Sequence, residues 1–411
     1  ELAKIIFVKI SDEQAKRKTG EPYEFQIKTH EPSHKLASRI QALYEAQRKR
    51  EPEVFKDKID IDDATLRTVV SHLESINLHK TDLDTKGIAF EQFMDGFFKG
   101  DFGQYFTPRE IIDFAVKMVK PTNDHLVLDP ACGSGGFLLH VLDAIRREAN
   151  SYYPNHETDP KESADHFKHW HDFAQKQLFG IEINEEIARV AKMNMIVHDD
   201  GHTNVIGWDA LEPIERITRH HRGFAENKFD LILTNPPFGS MVKQDEKPYL
   251  SVYEMSKIGK TLAESAKVDP KAGKKAIKQK ASVKTEILFC ERVWRFLKSG
   301  TGRAAIVLPD GILTNSSLQG VRDWILQRFQ ILAVVSLPTT AFSHFGAGVK
   351  ASLCFLRKRA ETEKPSNDEP IFMAVPEKIG YDATGRKCEN ELDEVVRQYD
   401  EFQKNPKPFF V

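Results

Sequence analysis

The sequence predicts an α/β protein: a mostly parallel, seven-stranded, doubly wound sheet preceded by a helical N-terminal domain. Three observations carry this reading. From about residue 103 onward, short apolar segments alternate with helical periodicity, the pattern of parallel strands covered by helices on both faces. A glycine-rich turn, Asp129 to Phe137, joins the first of those strands to a helix. Residues 1–100 carry helical periodicity and almost no strand signal.

Within that N-terminal domain, Leu2, Ile5, Ile6 and Val8 to Ile10 open one helix, and Leu36, Ile40 and Leu43 recur at helical spacing. Gly20-Glu21-Pro22 reads as a turn, followed by a short extended stretch from Tyr23 to Ile27. Asp62 to Thr65 caps a helix through Leu66, Val69, Val70 and Leu73. The second domain, residues 101–370, is expected to hold strands at His125–Asp129, Leu178–Glu182, Asn204–Trp208, Asp230–Thr234, Arg303–Leu308, Leu332–Ser336 and Ala351–Leu356. Helices between them begin near Arg109, Gly136, Asn184 and Thr285. Residues 239–284 are rich in lysine and poor in large apolar side chains, which predicts a long, mobile insertion, either a solvated loop or a DNA-contacting one. Residues 371–411 form a C-terminal extension, in which residues 389–404 read as a polar helix that packs on its own domain or on a partner.

Composition narrows the classes. Apolar residues make up 40% of the 411-residue chain, enough for a sizeable core, yet no apolar run approaches the length of a membrane span. A cytoplasmic location is the default expectation. Cys132, Cys290, Cys354 and Cys388 are scattered without metal-ligand spacing, so neither a disulfide nor a metal site is expected. The formal net charge of -2 does not advertise a polyanionic partner, so nucleic-acid contact must come from local patches or from another subunit.

Four segments carry chemistry. In Asp129-Pro130-Ala131-Cys132-Gly133-Ser134-Gly135-Gly136, glycines let the backbone approach a ligand and expose amides at a helix N-terminus. No Lys-Ser/Thr follows, and Asp129 at the strand tip would repel a pyrophosphate while suiting the ammonium of a methionine moiety. Glu182 ends the second strand, where a carboxylate accepts both hydroxyls of a ribose, and Asp209 follows the third, within reach of an adenine amino group. Taken singly, each acid reads more readily as part of a solvated loop or a helix cap than as a ligand contact; their joint placement after successive strands favours a nucleoside ligand. The fourth strand delivers Asn235-Pro236-Pro237-Phe238. An exocyclic amine is a poor nucleophile because its lone pair is delocalised into the ring. If the Asn235 oxygen and the Pro236 carbonyl accept its hydrogens, that pair is freed. The two prolines fix the backbone, and Phe238 offers a flat face for an extruded base.

Gly103-Gln104-Tyr105-Phe106-Thr107-Pro108-Arg109, Asp129 to Phe137 and Asn235 to Phe238, in that order, resemble the N6-adenine DNA methyltransferases, and closely the modification subunits of type I restriction-modification systems. The likeness spans about residues 85–360. It implies the Rossmann-like class I S-adenosylmethionine-dependent methyltransferase fold. It also implies that Tyr105, Thr107 and Pro108 close over the methionine end of the cofactor. Ala131, Gly133, Ser134, Gly135 and Gly136 would line the cofactor loop, with Asp129, Glu182 and Asp209 in the roles argued above. A later aromatic, Phe342 or Phe345, would flank the flipped base. Asp199-Asp200 offers a second acidic pair near Asp209. The implied partners are DNA, a separate specificity subunit that reads the target, and a restriction subunit, with two modification subunits per specificity subunit. Methylation of a protein amide or an RNA amine, and a catalytically silent cofactor-binding scaffold, are the alternatives. A faint metal-nuclease pattern at Glu24 to Lys28 lacks a partner acid and reads as an edge strand.

Overall fold

The computed structural model describes residues 1–18, 20–49, 52, 54–78, 107–198, 204–258, 280–343 and 348–409. The chain divides into two compact units, Glu1–Gln104 with Arg189–Thr203, and Tyr105–Ala188 with Asn204–Val411. Residues 189–203 group with the first unit and residues 371–411 with the second.

In the first unit, helices α1 (Leu2–Gln14), α2 (Ser33–Arg48) and α3 (Asp63–Leu73) enclose a core of Ile5, Val8, Leu36, Ile40, Tyr44, Phe55, Leu66 and Val70. Asp62 caps α3, its carboxylate accepting from the Ala64 and Thr65 amides. The stretch Tyr23 to Ile27 is a run of bends rather than an extended segment. Buried Phe25 explains the difference: its amide donates to the Asp12 carboxylate at 2.8 Å, which curls the backbone toward α1.

In the second unit the elements run α4 (Arg109–Val119), β1 (Val127–Asp129), α5 (Gly136–Tyr152), α6 (Pro160–Lys176), β2 (Leu178–Glu182), α7 (Glu185–Val197, whose later part is grouped with the first unit), β3 (Val205–Gly207), α8 (Ile214–His220) and β4 (Leu231–Thr234). Next come β5 (Met241–Lys243), β6 (Ser282–Lys284), α9 (Thr285–Phe296), β7 (Arg303–Pro309), α10 (Asp310–Thr314), α11 (Gln319–Arg328), β8 (Phe329–Ser336) and β9 (Ala351–Lys358). Three short strands, β10 (Phe372–Ala374), β11 (Ile379–Tyr381) and β12 (Lys387–Asn390), precede α12 (Leu392–Lys404).

The main sheet has eight strands rather than the expected seven, in the order β10-β8-β9-β7-β4-β1-β2-β3. Only β9 runs antiparallel to its neighbours among the described strands of this sheet. The eighth strand is β10, three residues that pair with β8 at the edge. Strands β1, β2 and β4 are buried along their whole length, as their unbroken apolar runs require of strands covered on both faces.

Helix α12 packs within its own unit, burying Leu392, Val395, Tyr399 and Phe402, with Phe372 edge-on to both rings. The Lys-rich insertion is packed at both ends, contrary to a wholly mobile reading. Strand β5 pairs with β6, and Leu250, Tyr253 and Met255 are fully buried. Residues 259–279 lie outside the described residues.

At the β2 centre, a Cβ on Gly180 would come within 2.9 Å of Leu138 and 3.0 Å of the Cys132 sulfur. Gly180→Ala is expected to destabilise the chain by about 1–3 kcal/mol through overpacking, read by urea denaturation; unchanged stability would show that α5 and the glycine-rich turn shift freely.

Candidate functional site

The parallel register brings the polar residues together. Leu128 of β1 lies opposite Phe179 of β2 and Ile232 of β4, so these strands end side by side, with Asp129, Glu182 and Asn235 at or just beyond their tips. Glu182 pairs with Gly207 of β3, which sets Asp209 two residues past the next tip. Neighbouring strands stand about 4.8 Å apart, so the four tips form one continuous edge.

The glycine-rich turn closes on that edge through backbone bonds. The Asp129 carboxylate accepts from the Ala131 amide at 3.0 Å, and Glu182 accepts from Gly133 at 3.1 Å and from Asn184 at 2.9 Å. Gly135, at φ 88°, occupies the left-handed region as N-cap of α5 and, having no side chain, makes no cap bond to the first turn of the helix. Ser134 is buried and Ala131 half-buried beside it.

Asp129 is 2% exposed, and burial pushes its carboxyl up to about 7, against the Thr234 hydroxyl and the Ala131 amide, which lower it; nearby Glu182 raises it further. Its ionised form is therefore the costly one in the folded protein, and a cation placed there would relieve that cost.

Asp209 is engaged. One oxygen accepts from the Leu211 amide at 2.9 Å; the other accepts from the Tyr249 hydroxyl at 2.6 Å and the Lys247 ammonium at 3.1 Å. Neither donor was visible in the sequence, because nothing in the insertion's pattern links it to the tip of β3. Asp199-Asp200 lies outside the described residues.

Asn235 shows the sharpest asymmetry. Its Nδ2 donates to the Thr107 hydroxyl at 2.9 Å, while its Oδ1 is buried and receives no hydrogen bond from the described residues. A buried amide oxygen without a donor costs about 1–3 kcal/mol, so the position suits an amine supplied by a ligand. Pro236 is buried, Pro237 exposed and Phe238 half-buried. Pro108 caps α4, accepting from the Ile111 and Ile112 amides at 3.0 Å.

Of the remaining candidates, Tyr105 and Phe345 lie outside the described residues. Phe342 is 2% exposed, so its ring has no free face for stacking in this conformation.

Buried Asp129, Glu182 beside the backbone turn and Asp209 past the next tip thus form a row of three acceptors along one edge of the sheet. A putative class I S-adenosylmethionine-dependent methyltransferase from Listeria monocytogenes shares the fold, superposing with a TM-score of 0.54 at 15% identity and covering 98% of both chains.

The chain belongs to the N-6 DNA Methylase family, whose model matches residues 81–408. It is similar to the type I restriction enzyme MpnII methylase subunit of Mycoplasma pneumoniae, with 25% identity over 308 residues, 73% of this chain and 49% of that one. A modification subunit of a putative type I restriction enzyme from Vibrio vulnificus superposes with a TM-score of 0.60 at 23% identity, covering 85% of this chain and 64% of that one. The chain spans about half the length of the curated relatives it matches.

A ligand whose ammonium meets Asp129 needs the carboxylate, and protons compete for it below about pH 7. The affinity for S-adenosylhomocysteine, measured by calorimetry, is expected to be level above that pH and to fall by up to about tenfold per unit below it. A flat profile through this range would remove Asp129 from the ammonium.

Proposed function

We propose that the chain transfers the methyl group of S-adenosylmethionine to the N6 atom of adenine in DNA. It does so as the modification subunit of a type I restriction-modification complex, in which a separate specificity subunit reads the target and a restriction subunit completes the assembly. Two modification subunits would flank each specificity subunit. The observation that carries this reading is the buried Asn235 oxygen without a donor, at a strand tip beside the glycine-rich turn.

The family membership and the fold support the cofactor. Asp129 would hold its ammonium, the amides of Gly133 to Gly136 its carboxylate, Glu182 its ribose and Asp209 its adenine, with Tyr105, Thr107 and Pro108 over the methionine end. When bound, S-adenosylmethionine supplies an electrophilic methyl group on a sulfonium. The residues of the chain do the rest by positioning. The Thr107 hydroxyl accepts from Asn235 Nδ2, which fixes the carboxamide so that Oδ1, and not the NH2, faces the incoming amine. Oδ1 and the Pro236 carbonyl would then accept hydrogen bonds from the two amine hydrogens, turning the nitrogen lone pair out of conjugation and toward the methyl group, and the proton that the methylated nitrogen sheds would pass to water. Phe238, half-buried, gives the extruded base its stacking face.

Incubation of the chain and its specificity subunit with labelled cofactor and DNA, followed by nucleoside analysis, is expected to yield N6-methyladenine. Label appearing only in protein or RNA would refute the substrate. Asn235→Ala should abolish transfer while cofactor binding persists. Thr107→Val should lower kcat by about tenfold to a hundredfold with KM little changed, and Thr107→Ser should restore it, since misplacement by about 1 Å can cost two orders of magnitude. Equal activity of the Val and Ser variants would mean that Thr107 does not set the amide. Phe238→Ala should weaken the extruded-base complex by about 1–3 kcal/mol, measured with a fluorescent base at the target position.

A further inference from the structure

The insertion that follows the catalytic loop contributes two side chains to a place where the sequence offered one. At the tip of β3, Asp209 has one oxygen committed to the Leu211 amide and the other shared by Tyr249 and Lys247. The two donors differ in how they are held. Tyr249 is half-buried against the main core of the second unit and sits on the short 3-10 helix Pro248–Val252, whose Leu250 is fully buried. Four residues on, buried Tyr253 donates to the Leu211 carbonyl at 2.7 Å. Buried Arg292 of α9 grips that tyrosine's hydroxyl and the Leu211 and Glu212 carbonyls. The insertion is thus tied at two points to the very loop that carries Asp209. Lys247, in contrast, has its side chain 43% exposed and reaches Asp209, 12% exposed, as a flexible cation across the rim.

We propose that Tyr249 and Lys247 complete the nucleoside end of the cofactor site: Tyr249 is a fixed positioning residue that sets the Asp209 carboxylate, and Lys247 is a displaceable cation whose place the ligand's adenine amino group takes. The assignment rests on the cofactor reading above. Of the three donors on Asp209, the Leu211 amide holds one oxygen and the Tyr249 hydroxyl and Lys247 ammonium share the other, the one nearer the exposed rim. A hydrogen bond from the adenine amino group is best made in the direction Lys247 now occupies, because the Leu211 amide and the Tyr249 hydroxyl are fixed by their surroundings. Exchange of a solvated ammonium for a neutral donor is easy at a half-exposed rim, where an ion pair contributes little. Loss of the Tyr249 hydroxyl is not, since it leaves the partly buried carboxylate free to turn.

The test is calorimetric binding of S-adenosylhomocysteine, and of its analogue with unsubstituted purine in place of adenine, to the full chain and to its Tyr249→Phe and Lys247→Met variants. Wild-type protein should favour the adenine ligand by about tenfold or more, the worth of one hydrogen bond to a charged acceptor. Lys247→Met should bind the adenine ligand several-fold more tightly, and the purine analogue no better than wild type does. Tyr249→Phe, which keeps the ring, should lose about tenfold for the adenine ligand and shrink its preference over purine, with an unchanged melting temperature. A purely structural tyrosine would leave that preference intact, which overturns the proposal, as would Lys247→Met binding no tighter than wild type. If wild-type protein binds neither ligand, the cofactor reading falls and this inference with it.

Discussion

Four parallel strands ending side by side impose the condition on which the rest of the site depends. The tips of β3, β2, β1 and β4 fall along one edge of the sheet, so Asp209, Glu182, Asp129 and Asn235 are gathered there whether or not they attract one another. Two of the three carboxylates are nearly closed to solvent: Asp129 is 2% and Glu182 5% exposed. Such groups persist in a fold only when hydrogen bonds or a counter-charge offset their desolvation. Backbone amides of the glycine-rich turn supply the hydrogen bonds to both. Burial raises the proton affinity of Asp129, so a ligand cation beside it would relieve that cost. The same edge that organises the loop thus carries a row of hydrogen-bonded acceptors, one of them buried enough to favour a cation beside it.

Asn235 completes this logic from the other side. Its neighbours satisfy the half of the amide that donates and leave the accepting half open. A site meant to hold a carbonyl would present the NH2; this one presents the oxygen, which suits an amine. Thr107 sits just before α4, whose apolar face is buried from Ile111 to Val119. The hydroxyl that fixes the amide is therefore carried at the start of a well-anchored helix, and positioning of this kind is what a weak nucleophile requires.

Much of this was legible from the residue pattern because the central strands are short apolar runs bounded by glycine and acids. Leu178–Glu182 has the expected bounds, and the expected helix near Asn184 starts at Glu185 with Asn184 capping it through the Glu186 and Ile187 amides. Strand β8 starts at Phe329 rather than Leu332, because Gln330 in an otherwise apolar run hid the first residues. Strand β10 was invisible: three residues alternating buried and exposed at a sheet edge carry too little pattern. The insertion misled because Leu250, Tyr253 and Met255 are sparse in a polar segment, and their burial comes from distant partners on α9 rather than from any local period. For the same reason Tyr249 and Lys247 at Asp209, and Thr107 at Asn235, could not be foreseen as contacts. They join residues 38, 40 and 128 positions apart. Sequence showed which residues stand at the strand tips; only the packing shows which atoms of those residues are left free.

The central claim, that the free Asn235 oxygen receives an adenine amino group, is most directly tested by a structure of the chain with its specificity subunit, S-adenosylhomocysteine and a duplex bearing the target site. The account predicts the extruded N6 nitrogen about 3 Å from Asn235 Oδ1, with Nδ2 still on Thr107. An Asn235 oxygen bonded to another protein group, with the base elsewhere, would contradict it.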